Sequence, residues 1–298
     1  MAICVSDKFK TRLKRIVLVI ISLLLLVAIT IAVLELFFVH NINGYRPDPA
    51  TKTDLTDILK KDVFSHNDYD IIFSQTGLKQ PAVDAIKAKE ENFSDAILSY
   101  QDAYLAETQV QCNLWVGFVT RHDELTDAYG NTVLGPHFAD LQPGDILVSF
   151  STHTTGWMHG HAALVIDENT ILESMVMGSK STYSNVNFLR DYSNYIVLRV
   201  KDASEQTRKQ VVEFAKEQLY DIPYHLLSGI VGYPDHNADI FGANCSYLVW
   251  YAYKQFGFDL DGGPYPVTPL DILKSDKTQI VQVSGVNKDF CDKYSPDK

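Results

Sequence analysis

The first strong pattern along the chain is an unbroken apolar run over residues 16–34, with no charge and only Ser22 and Thr30 as polar members. It continues through Glu35 into Leu36, Phe37, Phe38 and Val39. As a helix, such a run covers ~28 Å, close to the hydrocarbon thickness of a bilayer. A core helix of this length usually keeps a polar face. A cleaved signal peptide usually has a shorter apolar region that ends at small residues, which Glu35 to Phe38 do not supply. The expectation is therefore an uncleaved anchor over residues 16–39. After a polar stalk (40–52) with Pro47 and Pro49, the pattern favours helices from Thr53 to Leu125. Residues 54–61, 84–89 and 94–107 carry apolar positions three and four apart, and Ser94 is the expected N-cap of the last. Gly130-Asn131 and Gly135-Pro136 mark loops.

From Leu141 onward the texture changes to short β-rich runs. Residues 146–150 form one, and 161–166 with 171–173 form an expected hairpin around the turn chemistry of Asp167, Glu168, Asn169 and Thr170. Residues 195–200 give a further strand. Residues 204–219 form an amphipathic helix with Val211, Phe214, Ala215 and Leu219 on one side. A long loop (220–243) then leads to a helix beginning near Cys245, with Leu248, Val249, Ala252 and Phe256 as its apolar stripe and Gly257 as its stop. Helices followed by a small antiparallel sheet with packed helices predict an α+β fold. There are no internal repeats and no low-complexity tract.

Charge sharpens the division. The net charge is −11. The first fifteen residues carry Lys8, Lys10, Arg12, Lys14 and Arg15 against Asp7, a sum of +4, which leaves 21 basic and 36 acidic residues, or −15, for the rest. Basic residues ahead of an apolar span place the N-terminus in the cytoplasm and the large segment outside. An acidic outer segment argues against a nucleic-acid partner. The expected organisation is a cytoplasmic tail (1–15), an anchor (16–39), a stalk (40–52), a helical extension or cap (53–140) and a catalytic domain (141–298). Asp123, Glu124 and Asp127, near the end of the helical stretch, read as a solvated acidic face.

Four cysteines fit this topology. Cys4 falls on the cytoplasmic side, leaving Cys112, Cys245 and Cys291 outside. A Cys112–Cys291 bridge would make Cys245 a lone thiol, but pairing cannot be read from sequence. Cys245 opens its helix, where unpaired N–H groups and the positive dipole end stabilise a thiolate and the oxyanion of an acyl intermediate. A thiolate nucleophile needs a base, and the base needs an orienting partner. His161 opens one strand of the hairpin and Glu173 closes the other. Strand sides alternate, so a two-residue tip would send them to opposite faces and an odd tip would bring them together.

The run Asn-Cys-Ser-Tyr-Leu-Val-Trp-Tyr-Ala-Tyr at 244–253, followed by Phe-Gly-Phe-Asp-Leu, resembles the nucleophile helix of the NlpC-type cysteine peptidases of the papain-like superfamily. Pro-Gly-Asp-Ile-Leu at 143–147, Gly-His-Ala-Ala-Leu-Val at 160–165 and Ile-Leu-Glu-Ser at 171–174 resemble that family's histidine block. Here the cysteine block comes last, which is the order of the circularly permuted, YiiX/YaeF-like branch. Val-Thr-Pro-Leu-Asp-Ile at 267–272 is similar to that branch too. The resemblance spans residues 141–276 and implies a permuted papain-like fold, with Cys245 as nucleophile, His161 as base and Glu173 as the orienting residue. It also matches Tyr224 to a Pro-Tyr element that lines the site or contributes to the oxyanion hole, with packing as the alternative.

Asn244 and Ser246 flank the nucleophile and join Tyr224 and His159 as candidates for substrate or oxyanion contacts. His153, His159 and His161 lie close in sequence, with His159 and His161 expected on one strand face. They invite a metal site with Cys245 or Glu173 as a further ligand, but no second Cys or His lies near Cys245 at ligand spacing. No metal or cofactor is expected. His159 is the alternative base, and Trp157 and Met158 either line a groove or cover core. The implied activity is a membrane-anchored, outward-facing cysteine amidase or peptidase acting on a peptide or acyl-amide substrate, cell-wall peptides first. An acyltransferase or lipid-amide hydrolase, or a catalytically silent module of the same fold, are the alternatives.

Overall fold

A computed structural model describes residues 7–40, 44–116, 120–154, 157–228, 240–261 and 266–294. Cys4 and part of the long 220–243 loop lie outside them. The chain opens with α1 (Asp7–His40). Within Lys10–Leu34 an 18-residue window has a mean hydropathy of 3.4, and none of that window is buried. It is not a core helix. It is long and apolar enough to cross a membrane, a test that a signal sequence also passes.

Four helices follow: α2 (Thr56–Leu59), α3 (His66–Thr76), α4 (Gln80–Lys89) and α5 (Phe93–Tyr104). The sequence pattern did not single out α3, although a capping box starts it. Ser65 accepts the Asp68 N–H, and the Asp68 carboxylate accepts the Ser65 N–H. Ser94 is not a cap, because α5 begins at Phe93 and Ser94 lies inside its first turn.

The helical expectation up to Leu125 fails beyond α5, where β1 (Gln109–Val116) and β2 (Thr120–Thr126) form an antiparallel pair. Val110, Cys112 and Leu114 alternate with Gln109, Gln111 and Asn113, a period of two that suits a strand. The strands β3 (Ile146–Ser149), β4 (Thr152–Thr154), β5 (His161–Asp167), β6 (Thr170–Glu173), β7 (Thr182–Asn185) and β8 (Tyr195–Val200) come next. The chain then passes through α6 (Glu205–Gln218), α7 (Cys245–Lys254), α8 (Pro269–Lys274), β9 (Thr278–Ser284) and α9 (Lys288–Tyr294).

The result is an α+β fold with two antiparallel sheets, a three-stranded one in the order β1-β2-β4 and a six-stranded one in the order β7-β6-β5-β3-β8-β9. The larger sheet is buried on both faces. Ile146, Val148, Ala162, Leu164, Ile196 and Leu198 point toward α6 and α7. Leu147, Ala163, Val165, Ile171 and Val197 point the other way, into a cluster with Ile72, Val83 and Ile97 of α3–α5. The helices of the 53–104 segment therefore cover the sheet's second face. Double-sided burial also explains why these strands read as continuous apolar runs rather than as alternating ones.

The acidic trio is not a solvated face. Asp123 is buried, Glu124 is half-buried against Asn113, and Asp127 accepts the N–H groups of Tyr129 and Asn131 in a turn. No disulfide joins Cys112 to Cys291. Cys291 is packed in the main core and Cys112 stands on β1.

Candidate active site

The site is assembled at the start of β5. Gly160 precedes it with φ +69°, and a Cβ there would lie 2.6 Å from the Ser149 carbonyl oxygen. Only glycine accepts both the left-handed backbone and the close approach. The next residue, His161, stands opposite Ser149 of β3. Ser149 is anchored beneath it by donating to the Asn194 carbonyl at 2.7 Å, while the Asn194 side chain accepts the Phe150 N–H at 2.7 Å.

The two hairpin strands pair as Leu164↔Leu172 and Val165↔Ile171, but then as Asp167↔Thr170. The tip is the two-residue turn that would separate His161 from Glu173. The extra residue, Ile166, is a bulge in β5, and it restores the parity that an odd tip would have supplied. His161 thus shares a face with Ala163, Ile171 and Glu173, and its Nε2 lies 2.8 Å from Glu173 Oε2 with both side chains buried.

The third member arrives from the start of α7, a helix that packs against β5. Asn244 caps the helix by accepting the Tyr247 N–H at 2.9 Å. Ser246 donates to the Val267 carbonyl at 2.8 Å, and Ser174, next to Glu173, donates to the Ala243 carbonyl at 2.7 Å. These bonds fix the helix start beside the ends of β5 and β6. Cys245 is half-buried there, close enough to His161 for its thiol to feel the imidazole.

Burial alone would raise the Cys245 pKa. The hydrogen bond and charge of His161, with the N–H groups of Ala162 and Ser246, outweigh it, and the thiol is lowered below its ordinary value. Burial likewise disfavours an imidazolium at His161, but Cys245 and Glu173 more than compensate and the His161 pKa is raised. The two shifts describe one thiolate–imidazolium pair.

The other candidates sort by their contacts. Tyr224 is half-buried, and burial followed by the charge of Cys245 raises its hydroxyl pKa. The side chains of Asn244 and Ser246 are committed to the backbone, leaving the helix N–H groups rather than these side chains to face a ligand. His159 lies ahead of β5, not on its face. Its Nε2 is 3.1 Å from Thr154 Oγ1 and its Nδ1 3.0 Å from the Gly160 carbonyl. It also packs edge-on to the exposed Trp157, and Met158 is exposed as well. His153 belongs to β4 in the other sheet, so the three histidines do not converge.

Pro143-Gly144-Asp145 is structural. The fully buried Asp145 carboxylate accepts two bonds from Arg199, at 2.8 and 2.7 Å. A residue that sequence reasoning missed is Tyr192. It is buried with no hydrogen-bond partner for its hydroxyl, whose pKa is raised by burial and then by the charges of Glu173, Asp191 and Cys245. Nothing in its sequence neighbourhood marks it, since β8 and the turn before it bring it under the site only in three dimensions.

Fold and site together define an α+β protein with a cysteine at a helix N-terminus and a buried histidine–carboxylate pair. No family model matches the chain. No curated protein matches it. Among solved structures, it is similar to YiiX of Escherichia coli O157:H7, described as a metalloprotein of DUF1105, with 16% identity over 47% of this chain and 96% of that chain and a TM-score of 0.36.

Proposed function

We propose that the chain is a membrane-anchored, extracytoplasmic cysteine hydrolase of permuted papain-like fold that cleaves amide bonds through a thioester. The observation that carries this reading is the buried His161–Glu173 pair at 2.8 Å beside a cysteine at the start of α7 whose thiol is lowered by that histidine. In this scheme the Cys245 thiolate attacks the substrate carbonyl carbon. The resulting oxyanion is held by N–H groups at the start of α7 and by the Tyr224 hydroxyl. The His161 imidazolium passes its proton to the departing amine as the C–N bond breaks, leaving an acyl-thioester on Cys245. Neutral His161 then takes a proton from water, whose oxygen attacks the thioester and releases the acid and the thiol. Glu173 keeps the imidazole oriented and favours its charged form. Residues 16–39 serve as the anchor with the basic tail on the cytoplasmic side, and cell-wall peptides are the substrates within reach of the outer domain.

A second substrate reading has its own support. Met177, Leu226, Leu227 and Phe241 are exposed on the segments that run past Cys245, which are tied together by Tyr224 N–H to Ser179 O at 2.9 Å and His225 N–H to Ala243 O at 3.3 Å. Apolar side chains at a site's rim suit an acyl chain, and with it a lipid amide or an acyl transfer.

The deciding experiment incubates the full chain in detergent with muropeptides and, separately, with acyl-amide lipids, and follows products by mass spectrometry beside Cys245→Ala. Cleavage of either substrate that is lost in Cys245→Ala supports the hydrolase, and the substrate consumed selects the reading. Products that persist in Cys245→Ala would overturn Cys245 as the nucleophile, and no product with either class together with an unreactive Cys245 would make the chain a binding module.

A further inference from the structure

A second convergence of side chains lies on the three-stranded sheet, away from the row at Cys245. On β1 and β2, Cys112 stands directly opposite Asp123, and on β4 His153 stands opposite Arg121. Alternation along β2 puts Arg121 and Asp123 on one face, so Cys112, Asp123 and His153 share it. Cys112 Sγ is 3.7 Å from His153 Nε2, and that same Nε2 is 3.3 Å from Asp123 Oδ1. The three donor atoms all lie within 4.8 Å of one another. Asp123 and His153 are buried and Cys112 is half-buried.

This is not a second nucleophile–base–acid relay. In a relay the two imidazole nitrogens serve different partners, as at His161, where Nε2 takes Glu173. At His153 one nitrogen faces both the thiol and the carboxylate, so all three donors surround a shared point. Zinc bonds of about 2.0–2.3 Å in tetrahedral geometry separate neighbouring N, O and S donors by roughly 3.3–3.7 Å. The S···N and N···O separations of 3.7 and 3.3 Å fall in that range. A thiolate and a carboxylate balance a divalent charge, and thiolate plus imidazole favours zinc over the oxygen-seeking magnesium and calcium.

We propose that Cys112, Asp123 and His153 form a three-ligand zinc site, with solvent as fourth ligand on the half-exposed Cys112 side. The ion ties β1, β2 and β4 together. This sheet is joined to the main one where Asp123 O accepts the Ser193 N–H at 2.7 Å and Asp123 N–H donates to Ser151 O at 2.9 Å. Zinc would therefore brace the strand whose Thr154 holds His159, just ahead of His161.

The test uses the full chain in detergent, stripped with a chelator and titrated with zinc alone or cobalt(II) alone. The expected result is one zinc per chain by elemental analysis, and a cobalt form with a thiolate charge-transfer band and intense tetrahedral visible bands. Cys112→Ser should abolish the charge-transfer band and weaken zinc binding by at least about 100-fold, beyond the usual effect of losing an outer-shell partner. Asp123→Asn keeps the residue's shape and should weaken binding by about 10-fold or more, which preserves the test if Cys112→Ser unfolds. Cys245→Ser should retain both stoichiometry and band. Absence of stoichiometric zinc overturns the proposal. So does wild-type affinity in both Cys112→Ser and Asp123→Asn, or a band that survives Cys112→Ser and disappears in Cys245→Ser.

Discussion

His161 Nε2 and Glu173 Oε2 lie 2.8 Å apart on one face of a hairpin whose two-residue tip would, without the bulge at Ile166, put them on opposite faces. A buried imidazole and carboxylate at this distance act as one unit. The charge of His161 in turn lowers the pKa of the Cys245 thiol.

The contribution of Glu173 can be separated from that of His161. Glu173→Gln keeps a hydrogen-bond acceptor and removes the charge, so it should slow alkylation of Cys245 by about 10-fold. His161→Ala, which removes the base itself, should slow it by about 10²–10⁴-fold. Rates of iodoacetamide labelling, read by intact mass, give both numbers. Equal rates in wild type and His161→Ala would exclude the pair.

The opposite pKa shifts predict a plateau in pH. Cys245 is lowered from 9.0 and His161 is raised from 6.5, so the thiolate–imidazolium form occupies the window between the two shifted values. Turnover should fall on the acid side as the thiolate takes up a proton, and on the alkaline side as His161 loses the proton the leaving amine needs. Both limbs belong to the coupled pair rather than to single residues. In His161→Ala the midpoint of labelling should move up toward that of an ordinary thiol. A wild-type labelling midpoint already at 9.0 would contradict the shifts.

Gly160 sets the height of His161. Gly160→Ala forces a side chain into φ +69° and against the Ser149 carbonyl. The expected cost is about 1–3 kcal/mol in stability. Slower Cys245 labelling should accompany it, because relief of the clash displaces the imidazole. Thermal unfolding and the labelling assay measure the two effects, and an unchanged melt would show that the turn tolerates a Cβ.

The Pro-Gly-Asp block is expected to hold the fold rather than to react. Arg199→Met strands the fully buried Asp145 carboxylate and should cost about 3–5 kcal/mol in denaturant unfolding. A loss below about 1 kcal/mol, the range of an exposed ion pair, would mean that Asp145 is solvated.

Much of the outer domain was legible from pattern alone. The strands at 146–149, 161–167, 170–173 and 195–200 and the helices at 205–218 and 245–254 show in the sequence because each carries a buried apolar run or stripe bounded by turn residues. The segment 109–126 was misread because its alternation is mild and polar, and the helical texture before it set the expectation. Asp123 was read as solvated because a carboxylate in an acidic run usually is. Its burial depends on Cys112 and His153, which arrive from other strands.

By itself, the sequence determined the apolar span, the charge step across it, and a cysteine at the start of an amphipathic helix, since these are local properties of composition and period. Tertiary structure decided which partners the cysteine meets. A one-residue bulge at Ile166 sets the side on which Glu173 faces His161, and a periodic pattern cannot report an extra residue whose only effect is to reverse parity. The same long-range pairing separated His153 from His161 and gathered it with Cys112 and Asp123, because strand neighbours are chosen by the sheet and not by distance along the chain.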